Sequence, residues 1–89
     1  MDATPIIPTW FKGRQCKAEP AGNDHTRKVT CPNLGEAYLF IAPAEGGRWR
    51  AGLRMQADGP DVALTEHTYD TPKVAWDVAF ELFRTHVVV

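Results

Sequence analysis

The stretch Arg48-Trp49-Arg50-Ala51-Gly52-Leu53-Arg54-Met55-Gln56 decides how the chain is read. Its odd positions are apolar: Trp49, Ala51, Leu53 and Met55. Its even positions are Arg48, Arg50, Gly52, Arg54 and Gln56. Successive side chains of an extended strand point to opposite faces. One face of this strand therefore belongs to a core, and the other carries three arginines.

The neighbouring elements follow from that strand. Residues 36–42, Glu-Ala-Tyr-Leu-Phe-Ile-Ala, have the aromatic and β-branched content of a buried strand. Pro43-Ala44-Glu45-Gly46-Gly47 is a five-residue loop between the two. That loop predicts an antiparallel register with Ala42 opposite Arg48, Phe40 opposite Arg50 and Tyr38 opposite Gly52. On the other face it sets Ile41 against Trp49, Leu39 against Ala51 and Ala37 against Leu53. A slip of one residue would put Ile41 opposite Arg50, which a core resists. Tyr38 and Phe40 thus join the arginine face. A third strand is expected over residues 62–69. If Val62 and Leu64 enter the core, then Ala63, Thr65, His67 and Tyr69 join the arginine face; the loop length leaves the opposite choice open.

Thr71 and Pro72 suit the N-cap and first position of a helix running to about His86. Val74 stands where a capping box would want Glu or Gln. Ala75, Val78, Ala79, Leu82 and Phe83 form the expected apolar stripe. Trp76, Phe80 and Val87 form a second strip beside it, which needs a cover of its own. Either the N-terminal arm covers it, with Ile6, Ile7, Trp10 and Phe11, or a second copy of the chain does.

Upstream, Pro5 and Pro8 make residues 1–9 an irregular arm. Residues 10–31 read as a hairpin, with strands from Trp10 to Ala18 and from Thr26 to Cys31 around a turn-rich Pro20-Ala21-Gly22-Asn23-Asp24. The expectation is therefore a single α+β domain over residues 1–89. It comprises an arm (1–9), a hairpin (10–31), a three-stranded antiparallel sheet (36–69) and one C-terminal helix backing it (72–86).

The composition, 44% hydrophobic and 24% charged, is that of an ordinary globular domain. No apolar run approaches the ~20 residues that span a bilayer, so no membrane partner is expected. Met1-Asp2-Ala3-Thr4-Pro5 lacks a basic segment followed by an apolar one, which sets a cytoplasmic location as the expectation. The net charge of −1 makes no global case for nucleic acid. Its distribution is uneven. Residues 1–35 set Lys12, Arg14, Lys17, Arg27 and Lys28 against Asp2, Glu19 and Asp24. Residues 61–89 set Lys73 and Arg84 against Asp61, Glu66, Asp70, Asp77 and Glu81.

The order strand, strand, strand, helix over residues 36–86 resembles the AP2 and integrase-N-terminal type of DNA-binding module. The resemblance rests on Arg48-Trp49-Arg50-Ala51-Gly52-Leu53-Arg54, and on Thr68-Tyr69-Asp70-Thr71 leading into a helix with Ala75 and Ala79. It implies a three-stranded sheet that docks into the major groove with contacts from Arg48, Arg50 and Arg54. Tyr38-Leu39-Phe40-Ile41 stands where that family has basic residues, and Glu66 lies on the third strand.

Chemistry of other kinds finds little support. Cys16, His25 and Cys31 lack zinc-ligand spacing, so no metal and no cofactor is expected. In a reducing cytoplasm the two cysteines are expected as free thiols. A cross-strand bridge requires Cys16 to face Cys31, which a loop from Gly22 to His25 would arrange. The chain has no serine, and no nucleophile, base and orienting group come together, so catalytic residues are not expected and the chain is not read as an enzyme.

Two non-catalytic readings remain. In the first, nucleic acid meets the arginine face through Arg48, Arg50, Arg54, Tyr38, Phe40 and His67. In the second, a small regulator, inhibitor or subunit binds another protein through its helix or sheet, with Trp76, Phe80 and Val87 as interface candidates. The chain would be a monomer or a homodimer.

Overall fold

The computed structural model describes residues 7–22, 25–32, 35–56 and 59–88, without the side chain of Val88. Its centre is an antiparallel pair, β3 (Gly35–Pro43) and β4 (Trp49–Arg54). Leu39 lies opposite Leu53, Ile41 opposite Ala51, Phe40 opposite Gly52 and Tyr38 opposite Arg54. This register is two residues away from the expected one, because the loop spans Ala44–Arg48 instead of Pro43–Gly47. The local reason is the turn itself. Gly46 and Gly47 take φ of 73° and 74°, which side-chain-bearing residues rarely adopt, and the Ala44 N–H donates to the Arg48 carbonyl at 2.7 Å. A shift of two preserves which face each residue joins.

Three further strands complete one antiparallel sheet in the order β1-β2-β3-β4-β5: β1 (Lys17–Pro20), β2 (Thr26–Cys31) and β5 (Asp61–Leu64). The helix α2 (Pro72–Phe83) lies across one face. The fold is α+β, with the sheet backed by the C-terminal helix as expected. Val29, Ala37, Leu39, Ile41, Ala51 and Leu53 from the sheet meet Ala75, Trp76, Ala79, Phe80 and Phe83 from α2. Each large side chain buried here contributes about 1.5–3 kcal/mol. Thr71 caps α2, its Oγ1 accepting from the Val74 N–H at 3.2 Å. Beyond Phe83 the chain makes a wider π-type turn over Arg84–Val88.

The segment expected to begin the hairpin as a strand at Trp10 is instead a one-turn helix, α1 (Thr9–Gly13), and β1 starts only at Lys17. Tertiary packing overrides local strand preference here. Phe11 is 1% exposed and its ring lies 5.1 Å from that of Phe80, while Trp10 stacks on Phe83 at 6.4 Å. The arm thus supplies the cover that the second apolar strip requires. On the other flank, the Arg27 guanidinium sits 5.4 Å from the Trp76 ring. Trp76 and Phe80 are therefore central core residues, 0% and 1% exposed, and offer no surface to a partner in this state. This corrects their reading as interface candidates. Val87 is partly buried against the same core. Ile6 lies outside the described residues; Ile7 packs on the core.

The hairpin register pairs Lys17 with Thr30, which sets Cys16 beside Cys31. The two sulfurs form a disulfide, with Cα atoms 4.2 Å apart. The expectation of free thiols is overturned by that register, which brings the cysteines directly opposite.

At the far edge the choice of faces is the reverse of the one first considered. Ala63 lies opposite Leu53 and turns to the core, whereas Val62 and Leu64 are 49% and 46% exposed. Met55 was expected in the core. It falls past the end of β4 and is 41% exposed. β5 ends early because Thr65 satisfies Ala51 differently. The Ala51 N–H donates to Thr65 Oγ1 at 3.1 Å in place of a backbone carbonyl. Residues 66–68 then leave the ladder, and Tyr69 returns as an isolated bridge to Trp49.

Gly52 is a position where side-chain size is set by a close approach. A Cβ there would lie 2.1 Å from Phe40 Cζ. The expected outcome for Gly52→Ala is a loss of about 1–3 kcal/mol, from displacing the Phe40 ring. Urea unfolding would read this as a lower midpoint at an unchanged slope; an unchanged midpoint would contradict it.

Candidate binding face of the sheet

The face of the sheet away from α2 carries Lys17 and Glu19 from β1, and Thr26, Lys28 and Thr30 from β2. It continues with Glu36, Tyr38 and Phe40 from β3, Arg50, Gly52 and Arg54 from β4, and Leu64 from β5. The hairpin extends the sheet sideways from β3 and does not fold over this face. Tyr38, Phe40, Arg50 and Arg54 are brought together on it, as expected.

The arginines are not a bare row of charge. Arg54 lies over the Phe40 ring at 4.3 Å, and its Nε donates to Asp61 Oδ1 at 2.7 Å. Gly52 beneath and Arg54 above leave Phe40 only 6% exposed, so this ring is covered where a base would have to stack. Arg50 donates from Nη1 to the Thr65 carbonyl at 3.1 Å. Arg48 donates to the Thr68 hydroxyl, to the Thr68 carbonyl at 2.6 Å, and to Asp70. Arg48, Arg50 and Arg54 thus each reach an acceptor on the segment 61–70. Lys28 pairs with Glu36 at 3.4 Å.

His67 does not join the others by strand alternation. It is exposed in the irregular stretch after β5, where its carbonyl accepts from the Thr65 hydroxyl. Tyr69 sits on the core side beside Trp49. At the end of the face beside the β3–β4 turn, Ala44, Glu45, Arg48, Arg50 and Thr68 line an open recess of about 420 Å³.

The side chains considered for other chemistry are otherwise engaged. Both sulfurs are in the disulfide, so neither is a thiolate nucleophile or metal ligand. The His25 ring packs edge-on to Trp49 at 5.0 Å. Among the described residues, no cluster of three or more His, Cys, Asp or Glu side chains gathers as a metal site, and no helix is long and apolar enough to cross a membrane.

Sequence reasoning missed Val62, Leu64 and Met55 as exposed apolar side chains beside Arg54. The signal that bore on them was the unresolved choice of faces in the third strand, together with Asp61 as an acceptor for Arg54. Comparisons with protein-family models, with curated proteins and with solved structures found no match.

The dual role of Arg54 is open to direct measurement. A double-mutant cycle of Arg54→Ala and Asp61→Ala should give a coupling of about 0.2–1 kcal/mol, as for exposed ion pairs. Arg54→Ala alone should cost about 0.5–1 kcal/mol more than Asp61→Ala, because it also uncovers Phe40. Equal single-mutant losses would remove the arginine–aromatic contact from the account.

Proposed function

We propose that this chain is a non-catalytic module that binds another protein through the outer face of its sheet. The observation that carries this reading is the contrast between arginines that already have acceptors and exposed aliphatics on that face. Arg48, Arg50 and Arg54 already have acceptors, while Leu64, opposite Gly52, and Val62, two residues before it on β5, are each more than 40% exposed. Leu64 lies opposite Gly52, and Arg50 stands two residues from Gly52 on the same face. Tyrosine and arginine are enriched in protein interfaces, and exposed apolar side chains grouped beside them mark an interaction surface.

The charges narrow the partner. Arg54 and Arg48 pair with Asp61 and Asp70, whereas among the described residues Arg50 reaches a backbone carbonyl and no carboxylate. A partner suited to the face would place apolar side chains on Leu64 and Val62, and a carboxylate within reach of Arg50. Glu45 at the rim of the recess discourages a second carboxylate there, so the acidic contact belongs on the Leu64 side.

The nucleic-acid reading, including docking in the AP2 or integrase manner, uses the same arginines. It requires Arg48 and Arg54 to exchange carboxylate partners for phosphates, and Phe40 to come out from under Arg54. The disulfide supports an oxidising compartment over the cytoplasmic location expected from the sequence.

Selection from a displayed peptide library against the oxidised chain tests the reading. Selected peptides should be rich in aliphatics with an acidic residue. Leu64→Asp should weaken them by tenfold or more, about 1.4 kcal/mol, while Lys12→Ala leaves them unchanged. A mobility shift with DNA or RNA at low salt, with its salt dependence flattened by Arg50→Ala, would favour the nucleic-acid reading instead.

A further inference from the structure

We infer that the Cys16–Cys31 disulfide is a redox latch that holds α1 over the aromatic face of α2. The inference does not rest on the proposed sheet-face function. It starts from how little else secures the segment from Thr9 to Pro20. The helix α1 has five residues and no side-chain cap, and a helix so short has no stability of its own. β1 is a four-residue edge strand in which Lys17, Glu19 and Pro20 are exposed. Between them Gln15 takes φ of 61°, an uncommon conformation for a residue with a side chain. Besides the short β1 ladder with its partly buried Ala18, two anchors hold this segment among the described residues. One is the insertion of Phe11 and Trp10 against Phe80 and Phe83. The other is the disulfide at Cys16, whose N–H also donates to the Phe11 carbonyl at 3.2 Å.

The two sulfurs are unequal. Cys16 is half-buried at the sheet's edge, while Cys31 is 3% exposed in the core. An external dithiol therefore attacks Cys16 Sγ. Its thiolate forms a mixed disulfide with Cys16, and the Cys31 sulfur leaves as a thiolate and takes up a proton. The reductant's second thiol then attacks the mixed disulfide. This releases Cys16 as a thiol and leaves the reductant as its own disulfide. Two electrons pass from the dithiol to the protein, which gains two thiol protons.

What reduction frees is local. β3 to β5 and the contacts of Trp76, Ala75 and Ala79 with the sheet contain neither cysteine, and β2 carries Cys31 only as its last residue. The segment from 9 to 20 lies at the low-stability end of the molecule once the bond is open. Its departure uncovers Phe80 and Phe83, now 1% exposed each. The strip that is closed in the oxidised chain becomes an aromatic surface in the reduced one.

Hydrogen exchange of the full chain, oxidised and then reduced with dithiothreitol, tests the latch. Reduction should speed exchange across residues 9–20 by on the order of tenfold or more, with β3 and β4 changed less than twofold. Binding of an apolar dye should rise in parallel. Cys16→Ser without reductant should reproduce the reduced pattern. Phe11→Ala in the oxidised chain should raise dye binding with the disulfide intact. Unchanged exchange at 9–20 on reduction would overturn the inference. Faster exchange throughout the sheet would overturn it too, because the bond would then be a global staple.

Discussion

Three guanidinium groups, two on β4 and one on the residue just before it, tie the last third of the chain to the sheet. Arg54 reaches Asp61 at the start of β5, Arg50 reaches the Thr65 carbonyl where β5 stops, and Arg48 reaches Thr68 and Asp70 just before α2. The segment they hold is irregular: a bulge near Arg54, an early strand end, and an isolated bridge at Tyr69. Backbone pairing alone leaves gaps along it, and the side chains of Arg48, Arg50 and Arg54 fill them. Thr71 then caps α2, which crosses back over the sheet to close the core. The uneven charge of the sequence acquires a structural meaning in these contacts. Acidic residues of the last third, Asp61 and Asp70, are the acceptors for arginines of the middle third.

The same pairing constrains function. Cations committed to internal acceptors contribute less to an external field than a row of free ones. Around β4 and β5 the outer face presents aliphatic side chains, a half-buried tyrosine and Arg50 on a backbone carbonyl, on a sheet whose opposite face is sealed by α2. At the other end of the sheet, α1 and the disulfide complete the seal over the helix's aromatic residues. The molecule thus has one face open in the oxidised state and a second that depends on Cys16–Cys31.

Much of this was legible in the residues. The alternation of Trp49, Ala51 and Leu53 with Arg50 and Arg54 fixed both strand and faces, and Tyr38 and Phe40 lie where it puts them. Parity constrains faces but not pairing, so the two-residue shift between β3 and β4 was invisible until Gly46 and Gly47 set the turn. The third strand had no such constraint, and Val62, Leu64 and Ala63 exchanged roles. Trp10 and Phe11 have strand-forming side chains, and only the gap above Phe80 makes them helical. Arg27 on the core side, beside Trp76, had no local signal. The apolar strip of Trp76 and Phe80 was correctly seen to need a cover; its occupant came from the same chain.

The central claim is that the arginine row is structural. It is tested most directly by NMR of the arginine side chains, through rotation about the Nε–Cζ bond and exchange of the Nε proton. Arg48 and Arg54 should show restricted rotation and slowed exchange relative to the exposed Arg14 of the same chain. Side chains of Arg48 and Arg54 as mobile as that of Arg14 would contradict the account, and would return the sheet face to a free cationic surface.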